Sequence, residues 1–228
     1  MSFFEPPEPP EHARELLEQP APKPWFGAPS NELGVGVPLS LLLARTDTVA
    51  VAIVGATAFS TGIQLRFATR RRPDLRADDE DGFDVFGDDP FEGHPFGRFH
   101  QRRRGRKEIP DELLRFGVQF SDGRKATTLG ASASVDAEDD EKGPAGPVLM
   151  QGGGGGGPSG WEFDFWLWPV PPPGQLTFAV EWPAHGIGVT QHDVEATPLI
   201  EASTKSEPLW PESVEGGTAS TRSFRLGE

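Results

Sequence analysis

The stretch W-E-F-D-F-W-L-W-P-V-P-P-P-G-Q-L-T-F-A-V-E-W, residues 161–182, decides the fold class. In each half, apolar and polar residues alternate with a period of two, the pattern of a strand with one buried face. Trp161, Phe163, Phe165 and Leu167 form one apolar row, and Leu176, Phe178, Val180 and Trp182 form a second. The residues between them, P-V-P-P-P-G at 169–174, have turn composition. The simplest expectation is a hairpin with Trp168 opposite Gln175, which puts Trp161 opposite Trp182 and both rows on one face. Glu162, Asp164, Thr177, Ala179 and Glu181 then share the other face with Trp166 and Trp168.

Moving outward, the same period recurs. Ile63-Gln64-Leu65-Arg66-Phe67 alternates cleanly, and Pro73 stops the ladder after Arg70–Arg72. Val49–Val54 is apolar at every position, as expected of a strand buried on both faces. Leu33, Val35 and Val37 alternate with polar or small residues, and so do Leu114, Phe116, Val118 and Phe120. Asp122-Gly123 follows the last of these, a hairpin signal of the type I′ kind, which needs positive φ at both central residues. Helix is nearly absent. A short helix is expected within 190–203, either opened by Thr190 with Asp193 as a capping pair or starting near Thr197, because Pro198 fits only a first turn.

These readings predict an all-β chain of about seven strands, an antiparallel two-sheet β-sandwich of immunoglobulin-like architecture. The expected organisation is a proline-rich N-terminal tail over 1–30, one sandwich domain over 31–200, and a C-terminal tail over 201–228 anchored by Trp210. Trp25 and Phe26 are expected to tether the N-terminal tail to the body. Linkers are expected at 130–147 and 152–160, the latter containing six consecutive glycines read as a flexible connector. Residues 74–107 form a charged insert of low complexity. Nine acidic residues fall between Asp74 and Glu92, then six basic ones between Arg98 and Lys107, with phenylalanines spaced among them. An insert of this length without an apolar period is either functional or disordered.

Composition removes several chemistries. The 228 residues include no cysteine, so disulfides, thiolate nucleophiles and Cys-ligated metals are excluded. There are 28 glycines and 24 prolines, nearly twice their average share, without the period of collagen. The net charge of −14 argues against a general nucleic-acid binder. No apolar run approaches the roughly 20 residues of a membrane span, and no leader pattern opens the sequence, so a cytoplasmic protein is expected.

No catalytic motif stands out. G-x-S-x-G is missing, the glycine run lacks the Lys-Ser/Thr of a phosphate loop, and His94, His100, His185 and His192 lack metal-ligand spacing. The proposed register gathers Glu162, Asp164 and Glu181 on one strand face, a weak candidate for a hard cation and otherwise a solvated acidic face. No cofactor is expected. Two surfaces qualify for an interaction. One is Trp166 and Trp168, unless a tail or the proline-rich turn covers them. The other is the insert with Phe96, Phe99, Arg102, Arg103 and Arg104, whose arginines the upstream acidic block could equally neutralise. The expected function is therefore a non-catalytic protein-interaction or scaffolding module with a protein partner. The rivals are a carbohydrate-binding module using the surface tryptophans and an acidic hydrolase using a carboxylate pair.

The segment from Trp161 to Pro183, together with Leu209-Trp210-Pro211, resembles a pattern in uncharacterised actinobacterial proteins. The resemblance covers about a quarter of the chain. It implies a bacterial, cytoplasmic source and carries over no catalytic residue.

Overall fold

A computed structural model of the chain describes residues 23–72, 109–130, 143–157 and 159–210. The insert 74–107, the centre of the 130–147 linker and the outer parts of both tails lie outside the described residues. Among the described residues twelve strands are present rather than about seven: β1 (Glu32–Leu33), β2 (Val35–Val37), β3 (Leu41–Arg45), β4 (Val49–Ala58), β5 (Ile63–Arg71), β6 (Arg115–Gln119), β7 (Lys125–Thr127), β8 (Val148–Gly157), β9 (Gly160–Trp168), β10 (Gln175–Trp182), β11 (Ile187–Glu195) and β12 (Glu207–Pro208). One sheet runs β2-β4-β5-β9-β8, with β3 also paired to β4, and the other runs β11-β10-β6-β7. Every pairing is antiparallel. The two sheets face each other across one apolar core, so the fold is an all-β sandwich.

The expected hairpin between β9 and β10 does not form. β9 lies between β5 and β8, with Phe165 opposite Leu65 on one side and Gln151 on the other. β10 lies in the opposite sheet between β6 and β11. The segment 169–174 is an arch that carries the chain across the sandwich. Its four prolines supply no N–H with which to continue a ladder. Its far end is fastened to the second sheet, where Ser121 Oγ donates to Pro173 O at 2.8 Å and Ala196 N–H donates to Gly174 O at 2.9 Å. The two apolar rows still meet, across the core instead of side by side. Phe116 of β6 packs 5.2 Å from Phe165 and 4.8 Å from Phe67, and stacks on Phe178 at 6.2 Å between ring centres.

Other elements follow the sequence more closely. The period of Ile63, Leu65 and Phe67 puts all three in the core. In β4 only one face is fully buried: Ala50 and Ala52 are half-buried, and Val54, at the register slip between Ile53 and Gly55, is exposed. The β6–β7 hairpin forms at Asp122-Gly123, but only Gly123 has positive φ. Gly123 N–H donates to Phe120 O at 2.9 Å and Phe120 N–H to Arg124 O at 2.9 Å, the arrangement of a three-residue loop closed by a glycine bulge. The Asp122 carboxylate accepts the Arg124 N–H, which holds its pKa below the usual value.

The helix α1 spans Thr197–Ser203 with Pro198 in its first turn, while Thr190 and Asp193 belong to β11 instead of a cap. Leu199 and Ala202 of α1 join the core. The expected C-terminal tail thus begins inside the fold, and β12 pairs with β1. Trp210 is no buried anchor, being 60% exposed. On the N-terminal side the tether exists through Trp25, which is buried, while Phe26 remains 42% exposed.

Candidate functional site

The first residues to place are the tryptophans. Trp166 does point away from the core, as its position in the alternation requires, but it is only 4% exposed. Residues 23–26 cross over it, and its indole N–H donates to Pro24 O at 2.9 Å. Phe59 meets its ring edge-on at 5.9 Å. Trp168, partly exposed, takes the edge of Trp25 at 5.8 Å. Trp25 is held from behind by Gly143, where a Cβ would come within 2.8 Å of the indole. Trp166 is therefore not a surface on which a sugar ring could stack, and the expected tryptophan surface is corrected accordingly. Phe96, Phe99, Arg102, Arg103 and Arg104 lie outside the described residues.

Of the three carboxylates expected to share a face, Glu162 and Asp164 do so on β9, and Glu181 is parted from them. Glu181 sits in the second sheet, where its Oε2 accepts from Arg115 Nη1 at 2.5 Å. Asp164 is the cross-strand neighbour of Arg66, with Nε and Oδ1 3.7 Å apart. Glu162 accepts a short hydrogen bond from Arg70 Nη2, and Arg70 Nη1 also donates to Thr69 O at 3.0 Å and Trp161 O at 3.3 Å. Each acid is matched by an arginine on a neighbouring strand. Among the described residues no group of three or more ligating side chains could hold a metal ion. His192 Nε2 donates to Leu43 O at 2.8 Å, and His185 lies edge-on against Trp182, so the two histidines do not converge. Burial, followed by the nearby Arg71 charge, holds the His185 pKa below 6.5.

What remains is a feature the sequence reading set aside. The six glycines are no connector: Gly152–Gly157 form the second half of β8, the edge strand of the larger sheet. Gly154 pairs with Phe163, Gly155 with Glu162, Gly156 with Trp161 and Gly157 with Gly160, after a register slip beyond Gln151. Two of the glycines have an internal reason. The rings of Trp161 and Phe163 stack on each other, 3° from parallel, and lie across the strand where a Cβ would come within 2.4 Å at Gly156 and 2.5 Å at Gly154. At Gly153, Gly155 and Gly157 a Cβ would meet nothing within 4 Å. Core packing does not require those three to be bare.

Among the described residues β8 has a ladder on one side only, with β9. Gly152–Gly156 are exposed. A hollow of about 460 Å³ opens on the outer face of this edge, lined by Arg70, Gly155, Gly156, Ser159, Gly160 and Glu162. The sequence signal for this strand was indirect. A glycine run has no side-chain period to read, and only the G-P-S-G at 157–160, of turn composition, leads directly into the alternating β9. Comparison of the chain with family models, curated proteins and solved structures gave no match. Among the described residues no helix is long and apolar enough to cross a membrane.

Proposed function

We propose that this chain is a cytoplasmic, non-catalytic protein-binding module that takes an extended segment of another protein as an additional strand on β8. The observation that supports it is the exposed, one-sided glycine edge. An edge strand offers unpaired N–H and C=O groups to any extended chain, and proteins commonly blunt such edges with lysines, prolines or cover. The glycine half of β8 carries no side chain that could do so. Glycine within a strand also marks places where another backbone approaches closely. Strand addition draws affinity from main-chain hydrogen bonds and specificity from the alternate side chains of the incoming segment. A surface without side chains of its own suits that division of labour.

Burial of Trp166 removes one of the two tryptophans on which the carbohydrate-binding alternative rests, and Trp168 is partly covered by Trp25. The three carboxylates Glu162, Asp164 and Glu181 lend the hydrolase alternative no support, since each faces an arginine. Selection from a library of displayed peptides against the full chain tests the proposal. Enriched peptides should slow amide hydrogen exchange at Gly152–Gly157. Enrichment that leaves those amides unchanged, or no enrichment, would contradict it.

A further inference from the structure

The structure assigns a charge to the partner, resting on the strand-addition reading above: the incoming strand carries a lysine or arginine opposite Gly155. In that position its side chain leaves the sheet on the same face as Gly155 and Glu162, because directly paired residues share a face. Two strand spacings, about 9.5 Å, separate the incoming backbone from β9. Above Gly155 a Cβ would meet no atom of the described residues within 4 Å. A short side chain would leave the hollow unfilled, whereas the long stem of lysine or arginine can lie across the bare glycine and bring its charge to the Glu162 carboxylate.

The local hydrogen bonds favour a cation over an anion. Arg70 already donates to Thr69 O, Trp161 O and Glu162 Oε1. Glu162 has spent one oxygen on Arg70, and Oε2 has no hydrogen-bond partner among the described residues. Its side chain is 49% exposed, so water holds that oxygen until a better donor arrives. An acidic side chain in the same place would meet Glu162 before it reached Arg70, and like charges would repel. The net charge of −14 acts in the same direction at long range, drawing basic segments toward the protein.

One other occupant of the edge is disfavoured by the same geometry. The β8 edge of a second copy would bring more glycine, with no side chain to enter the hollow. The chain's own basic run at 101–107 carries the charge the edge calls for, and the concentration dependence of amide protection in the test below separates it from a partner.

The test uses the full-length protein and three extended Thr/Val-rich peptides that differ only at the central position, Lys, Ala or Glu. The expected result is slowed exchange of the Gly152–Gly157 amides with the Lys peptide. Its affinity should exceed that of the Ala peptide by about fivefold, the upper end for a half-exposed ion pair, with the Glu peptide weakest. In Glu162→Gln, which keeps an oxygen for Arg70, the Lys advantage should shrink to less than about twofold. Gly155→Lys, which puts a cation beside Glu162 from within the chain, should remove the advantage too, and it serves if Glu162→Gln proves unstable. Equal affinity and equal protection by all three peptides would overturn the charge assignment and leave strand addition standing. No protection by any of them would overturn both. Protection, in the protein alone, of those amides of the run that do not donate to β9 would also overturn the inference. Concentration-independent protection would identify the chain's own segment as occupant, and concentration-dependent protection a second copy.

Discussion

At Gly154 and Gly156 an added methyl group would collide with Phe163 and Trp161, while at Gly155 it would meet open space. Gly154→Ala and Gly156→Ala should each cost about 1–3 kcal/mol, the usual penalty of overpacking. Gly155→Ala should be neutral or stabilise by up to about 1 kcal/mol, since alanine gives up less chain entropy than glycine on folding. Urea denaturation of the three variants checks the alternation, and a uniform response along the run would contradict it. A second prediction concerns His185, whose pKa burial and Arg71 hold below the ordinary 6.5. The unfolded chain then takes up a proton before the folded one, so stability should fall as the pH drops through about 6.5 toward the lower folded value. His185→Gln should remove that part of the acid decline. Equal pH profiles of stability for wild type and variant would show that His185 does not titrate differently on folding.

Two carboxylates that the sequence places on one face belong to different elements and should behave differently. Glu181 of β10 holds Arg115, whose side chain is only 18% exposed, whereas Glu162 of β9 holds Arg70 with both side chains about half exposed. Glu181→Ala should therefore cost about 1–3 kcal/mol, because it strips a charged partner from a nearly buried guanidinium. Glu162→Ala should cost less than about 1 kcal/mol, the range of exposed ion pairs. Chemical denaturation separates the two, and equal costs would weigh against the placement of β9 and β10 in different sheets. The strands themselves were legible. The period of Phe163 and Phe165, or of Leu176 and Phe178, states which face is buried. It does not state whether two consecutive strands share a sheet, because a hairpin and an arch bury the same residues. Only the prolines of 169–174 hinted at the arch. The glycine strand had no direct signal, since period and propensity are properties of side chains, and only the turn composition at 157–160 pointed to it.

Across the whole molecule, distant segments decide what is surface. Trp166 follows the outward phase of β9, yet Pro24, more than 100 positions earlier in the sequence, accepts its indole N–H, and Trp25 lies against the neighbouring Trp168. Burial by a remote segment leaves no mark in a local pattern, so the tryptophan surface expected from sequence becomes a covered seam. Trp25→Ala should loosen that seam without unfolding the sandwich, whose aromatic core of Phe67, Phe116, Phe165 and Phe178 it does not touch. Tryptophan emission should shift to the red and become accessible to acrylamide, while the strand signal in circular dichroism stays. Unchanged quenching would mean that Trp25 is not the cover. The central claim is that a run of six glycines is an ordered sheet edge presented to a partner. Cross-strand nuclear Overhauser contacts at Gly152–Gly157, recorded on the full chain alone and with the lysine-bearing peptide, test it most directly. Contacts from Gly154 to Phe163 and from Gly156 to Trp161 are expected in the free protein, joined by new contacts to the peptide on the opposite side. Glycine signals without cross-strand contacts in the free protein, or a bound peptide that touches none of them, would contradict it.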